Sequence, residues 1–358
     1  MLNLAGGNTT HLRDSIYYIE DGTVVILVES TLFKVHQSML IKDRSTFQSM
    51  FSLDEHSVPK QDEAASTVGP TTREGTDDSN PIVLQGDSAD EFRALLWSLY
   101  SLPSDILLAM TAEASDLKFI HLAQISHKYQ FRSIEAWALQ VLTSYYALGS
   151  VTPHIETLVQ LTELAVLCDS SDLLNAAILK WKRMVGEGKA LSTIIIVAER
   201  LNLRGVLGLA YHSMMLKGRS EWDADPLLSR SQRIRLLSGH YTLSQICSEL
   251  PSTPPRLKHA NSCLHRSQCK IGWAELWKTI HTTKEGGISS QIMKLQSADL
   301  LGRMMLAESI IKAFGEGIPT EGLLDDIHEK CFKAALKTTQ EKVKEIQENL
   351  VDWFSDVM

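Results

Sequence analysis

The chain has 358 residues, room for two or three domains each with its own core. Its 44% hydrophobic and 22% charged residues are the proportions of a soluble globular protein. Lys plus Arg number 35 and Asp plus Glu 43, so the net charge is −8, and neither nucleic acid nor an anionic membrane is an expected partner.

Val24-Val25-Ile26-Leu27-Val28 is a β-branched run that reads as a buried strand. Glu29-Ser30-Thr31 turns the chain, and Leu32-Phe33-Lys34-Val35 returns as the second strand of a hairpin. The pattern becomes helical at His36. Ser45-Thr46-Phe47-Gln48 has the form of a capping box, followed by Phe47, Met50 and Phe51 on one helix face. Residues 54–80 are acidic and nearly free of large apolar side chains, which predicts a flexible acidic loop. Pro81-Ile82-Val83-Leu84 reads as a strand. Ser88-Ala89-Asp90-Glu91 is a second capping box, opening an amphipathic helix through Phe92, Leu95, Leu96 and Leu99 that Pro103 keeps from continuing. Leu117, Ile120, Ala123 and His127 mark one further helix, and Ile134, Ala138, Leu142 and Tyr145 the next.

Beyond Gly149 the sequence reads as helices only. Apolar stripes run through Leu158–Cys168, Leu174–Val185, Leu191–Ala198 and Leu203–Met214, with short connections. Asp225-Pro226 is expected to cap and open a fifth helix, and Pro251, Pro254 and Pro255 mark a boundary. The last segment carries a short heptad pattern, Phe332, Leu336, Thr339, Val343, Ile346, Leu350 and Trp353, better explained by a helix packed on its own domain than by a coiled coil.

The N-terminal pieces together resemble the BTB/POZ domain, in the form common in basidiomycete fungi. Glu20–Val28 looks like that family's first long strand, Phe33-Lys34-Val35-His36 its F-x-x-H signature, and Phe47 with Met50-Phe51 its F-x-x-M-F helix. Ile82-x-Leu84, then Phe92, Leu95-Leu96 and Leu99-Tyr100, look like its third strand and next helix, and Ser126-His127-Lys128-Tyr129 opens its closing helical hairpin. The resemblance covers Ser15 to Leu148. It implies an α+β fold with a small sheet covered by helices, followed by an all-α C-terminal region. The expected domains are 1–149 (BTB/POZ, with the loop 54–80 inserted), 150–250 (antiparallel helix pairs) and 251–358 (C-terminal helices).

The family's role is to bind proteins, so the resemblance implies a scaffold or oligomerisation protein with protein partners, a homodimer included. An adaptor for a cullin-3 ubiquitin ligase and a transcriptional co-regulator are the alternatives. Two features depart from the family. Thr23 and Gln37 stand where many dimers carry an acidic and a basic residue. Ser101-Leu102-Pro103-Ser104-Asp105 lacks the apolar-x-Glu of cullin-binding members.

No constellation points to catalysis, and no cofactor is expected. His36, between strand and helix, reads as a structural histidine bonded to nearby backbone. His328-Glu329 begins like a metalloprotease motif, but Phe332 stands where its second histidine belongs. Gly186-Glu187-Gly188-Lys189 lacks the first glycine and the closing Ser or Thr of a phosphate loop. The one metal-like group is Cys263, His265 and Cys269, with His259 as a fourth donor. Its spacing is not that of a compact zinc motif, and packing or a local redox pair is the expected reading. The five cysteines are odd in number and sparse, which fits a reducing compartment. The opening residues show no basic-then-apolar leader, so cytoplasm or nucleus is the expected location.

Overall fold

The structure, a computed structural model, describes residues 11–55, 74–109, 116–282, 290–317 and 324–355. Residues 56–73, most of the expected acidic loop, lie outside them, as do the opening residues 1–10. The fold is mixed α and β and mostly helical, with one small sheet near the N-terminus. Contacts gather the chain into two units, Met1–Ile178 and Leu179–Met358. This division runs through a helix, whereas the divisions expected at 149/150 and 250/251 fall at breaks in sequence pattern.

The first unit is built on four strands, Leu12–Tyr18 (β1), Val24–Val28 (β2), Thr31–Val35 (β3) and Ile82–Leu84 (β4), in the order β1-β3-β2-β4. β2 and β3 form the expected antiparallel hairpin, with Ile26 opposite Phe33. β1 and β4 lie parallel to their neighbours. All five residues of β2 are buried, which explains its unbroken apolar run. β1 has no sequence counterpart among the expected strands. Its one buried residue near the start is Asp14, whose carboxylate accepts from the Ile16 and Tyr17 N–H groups and from Arg93, so no apolar alternation announces it.

Helices follow at Gln37–Leu40 (α1), Thr46–Glu55 (α2), Ala89–Tyr100 (α3), Pro103–Ala109 (α4), Asp116–Lys128 (α5), Arg132–Ala147 (α6), Ile155–Leu167 (α7) and Ser171–Gly186 (α8). Phe33, Phe47, Phe92, Leu95 and Phe131 meet in one core between the sheet and α2, α3 and α5. The Phe33 and Phe92 rings meet edge to face at 5.0 Å, and Phe47 stacks on Tyr129 at 4.5 Å. The capping box at Ser88 is present, with Glu91 Oε2 accepting from the Ser88 N–H at 2.7 Å. The one expected at Ser45 is not formed: the Gln48 N–H donates to the Ser45 carbonyl at 3.0 Å, the Ser45 N–H to the Lys42 carbonyl at 3.2 Å, and the Ser45 hydroxyl is turned to the Leu40 carbonyl. α3 ends at Tyr100, as expected ahead of Pro103, and Pro103 then opens the separate short helix α4, a position where its missing N–H costs nothing.

The end of the expected acidic loop is held in place. Gly75 pairs with Val25 through its carbonyl at 2.8 Å, and Asp78 accepts from Arg13 and from the Tyr18 hydroxyl, both at 2.6 Å. Composition alone predicts flexibility there. The acidic side chain finds its partners on β1, the strand that composition does not reveal.

The second unit continues with Leu191–Arg200 (α9), Arg204–Lys217 (α10), Arg219–Ala224 (α11), Arg230–Glu249 (α12), Arg266–Thr282 (α13), Ser290–Met293 (α14), Leu300–Gly315 (α15) and Glu329–Asn349 (α16). Asp225-Pro226 does not open α12; Asp225 instead accepts from the Leu227 N–H in a turn. Ser229 caps α12 through a reciprocal box with Gln232. The heptad positions Phe332, Thr339, Val343, Ile346 and Leu350 are buried within this unit, as a packed terminal helix requires. The Phe354 ring stacks on Tyr211 at 5.3 Å. Among the described residues no helix is long and apolar enough to cross a membrane.

Candidate metal centre

Of the side chains singled out in the sequence, two cysteines end up side by side. Cys263 lies in the turn that precedes α13, where its N–H donates to the Ala260 carbonyl at 3.0 Å. Cys269 sits in the opening turns of α13, and its N–H donates to the His265 carbonyl. Both are buried, at 5% and 1% exposure. His265, expected beside them, is exposed and contributes only that backbone carbonyl. The cluster takes its imidazole from His259, whose Nδ1 lies 3.9 Å from Cys263 Sγ.

The fourth member is Cys331, which the sequence pattern does not bring into the group. It sits in the first turn of α16, fully buried, with its Sγ 3.8 Å from His259 Nδ1. The donor atoms of His259, Cys263, Cys269 and Cys331 all lie within 4.8 Å of one another. Cys331 stands 72 positions from His259, too far for any spacing motif to link them. The one sequence signal is its being the last of only five cysteines.

Two anchors hold the segment before Cys263 against α13. The Trp273 indole donates to the Pro255 carbonyl at 2.8 Å, and the Trp277 indole to the Leu250 carbonyl at 2.7 Å. Cys269, Trp273 and Trp277 are spaced four residues apart, so they share one face of α13. On the other side Gln268 donates to Asp326 at 2.6 Å, fixing the approach to α16. The Ala260 N–H points at Cys331 Sγ from 3.3 Å. Burial pushes the Cys269 thiol up to about 11, and the neighbouring thiols act in the same direction. All five cysteines are free, so no disulfide joins the pair that the sequence suggests.

A second group, His127, Glu135 and Cys168, has one thiol and two part-exposed partners. His127 Nδ1 is 2.9 Å from Glu135 Oε1, and burial, with Glu135 beside it, pushes the Cys168 thiol up to about 12. With one sulfur beside a histidine and a carboxylate, this is a poorer donor set for a soft ion than three sulfurs and a histidine.

The remaining sequence candidates have structural duties. The Tyr100 hydroxyl accepts from the His36 N–H and is then placed to donate to His36 Nδ1, both at 3.0 Å. The ring of His36 therefore bonds a tyrosine side chain rather than backbone, and its Nε2 lies 3.5 Å from Asp21. The uncharged pair Thr23 and Gln37 does meet, the Gln37 N–H donating to the Thr23 hydroxyl at 2.9 Å. His328 accepts from the Lys330 N–H and caps α16. No protein-family model, curated protein or solved structure matches this chain.

Proposed function

We propose that this chain is a protein-interaction scaffold whose N-terminal unit is of the BTB/POZ type, acting in cytoplasm or nucleus and catalysing no reaction. The observation that carries the reading is a set of strongly exposed leucines at α4. Leu102, Leu107 and Leu108, at and within α4, are 66%, 68% and 69% exposed. Exposed leucines this close in sequence are a candidate place for another protein to dock. Support also comes from the order of elements, with a hairpin, α1 and α2, a short strand, α3 and the α5–α6 hairpin following one another as in that domain. Lys128 and Tyr129, at the end of α5, close the hairpin on the β4–α3 turn by gripping Asp87 at 2.6 and 2.5 Å.

The cullin-3 adaptor reading ranks lower. Asp105, nearest to the acidic position of cullin-binding members, accepts from the Leu102 N–H and caps α4 instead of standing free. The test is light scattering and affinity purification on the full chain beside a Leu107→Asp/Leu108→Asp variant. Self-association or partner capture should weaken by about tenfold or more in the variant, with the melting temperature held within a few degrees. Equal behaviour of the two proteins would remove this surface from the function, and co-elution with cullin-3 would promote the adaptor reading.

A further inference from the structure

We propose that His259, Cys263, Cys269 and Cys331 bind one zinc ion in a closed Cys3His site. Three thiols and one imidazole are the donor set of structural zinc, and of no common hard cation. The spacing fits the ion. Zn–S bonds of about 2.3 Å and Zn–N bonds of about 2.0–2.1 Å give a tetrahedron with edges of about 3.5–3.8 Å. The two thiol-to-imidazole distances are 3.9 and 3.8 Å, and all four donor atoms lie within 4.8 Å of each other. A contraction of a few tenths of an ångström brings those two distances to tetrahedral values, and the other donor pairs, all within 4.8 Å, need close by no more than about 1 Å.

Ordinary packing does not demand this convergence. Buried cysteines behave as small hydrophobes, and nothing in that role aims three sulfurs and a ring nitrogen at one point. A redox pair of Cys263 and Cys269 would leave His259 and Cys331 without a role. The site also has the surroundings that thiolate ligands use. The Ala260 N–H is directed at Cys331 Sγ from 3.3 Å, so the negative charge that metal binding places on that sulfur is met by a backbone donor. With four protein donors no position is left for water or substrate, which makes the site structural and not catalytic. The segments it would join are definite: the irregular stretch carrying His259 and Cys263, the start of α13 and the start of α16. Those segments are otherwise tied chiefly by the two indole bonds and by Gln268 to Asp326.

The experiment uses the full chain, purified under reducing conditions from zinc-supplemented medium, with metal content read by mass spectrometry. About one zinc per chain is expected. A strong chelator should strip it with a fall in melting temperature, and added zinc should restore both. Cobalt in its place should show the intense thiolate-to-metal absorption of a tetrahedral sulfur-rich site. Cys331→Ala and His259→Ala should each weaken zinc by more than the about 10–100-fold that outer partners contribute, whereas His265→Ala should bind as the parent does. Should Cys331→Ala prove insoluble, His259→Ala, altered at a half-buried ring, carries the test. Metal-free parent protein that also fails to take up zinc overturns the proposal. So does full zinc retention by His259→Ala together with Cys331→Ala, or a Cys263–Cys269 disulfide found by peptide mapping. None of these outcomes bears on the α4 surface, so this proposal and the scaffold reading fail independently.

Discussion

His281 shows how burial sets a charge. Its ring packs on Trp277 at 4.4 Å, its Nδ1 donates to the Trp277 carbonyl at 2.9 Å, and its Nε2 has no hydrogen-bond partner among the described residues. Burial brings its pKa down to about 4, against the carbonyl that favours the charged ring, and Arg303 adds to the fall. Between its ordinary 6.5 and about 4 the unfolded chain takes up a proton that the folded chain refuses. The contribution of a neutral His281 is therefore present above pH 6.5 and is lost as pH falls through that window. The full loss is roughly 3 kcal/mol at about 1.4 kcal/mol per unit. Urea midpoints from pH 7 to pH 4 should decline less steeply in His281→Phe than in the parent protein. Parallel declines would show that this ring titrates as an exposed one. His36 makes the complementary point. Its structural role is legible in the sequence from its place between strand and helix, but its partner is not, because Tyr100 lies 64 positions away.

Elements whose signals are local are legible in the sequence, and those that depend on distant partners are not. β2, β3, β4, α2, α3 and the heptad helix α16 carry their own periodicity, and each lies where its side chains put it. β1 escapes because Asp14 occupies its inward position, and the Ser45 box fails because the Gln48 and Ser45 N–H groups that it would use are bonded to the Ser45 and Lys42 carbonyls. The metal centre is half legible. Cys263, Cys269 and His259 are neighbours in sequence, while Cys331 comes in on α16, and His265 is a plausible donor that the start of α13 turns outward. The acidic stretch divides in the same way. Replacing residues 56–73 with a shorter Gly/Ser linker should move the melting temperature by only a few degrees, since each doubling of loop length changes closure by about 0.6 kcal/mol. Carrying the replacement through Asp78 should cost about 1–3 kcal/mol more, because the Tyr18 hydroxyl loses its acceptor and Val25 its pairing with Gly75. Thermal melts of the two variants should separate clearly; coincident melts would mean that the Asp78 contacts add nothing.

At the scale of the whole chain the question is where the N-terminal unit ends. The sequence pattern breaks at Gly149, and the BTB/POZ resemblance stops at Leu148, so a fragment Met1–Gly149 is the natural choice. The packing argues for a longer one. α7 lies against α5, and its Leu158, Leu161 and Leu164 are fully buried. Just past its end Cys168 comes within ligand distance of Glu135 on α6 and His127 on α5. Contacts accordingly carry the first unit on to Ile178. Removing α7 strips this cover from α5 and exposes apolar surface that three buried leucines, at about 1.5–3 kcal/mol each, had protected. A fragment Met1–Ser170 keeps the cover, and Met1–Gly149 loses it. Urea unfolding of the two should show the longer fragment more stable by at least about 3 kcal/mol, and the shorter one should aggregate sooner through its bared α5 face. Equal midpoints and equal solubility would place the boundary at Gly149 and assign α7 to the helical region instead. The result also decides how partner binding is measured, because a fragment that self-associates through an artificially bared helix would imitate the oligomerisation proposed for the α4 surface. Only a fragment that retains α7 can separate the two.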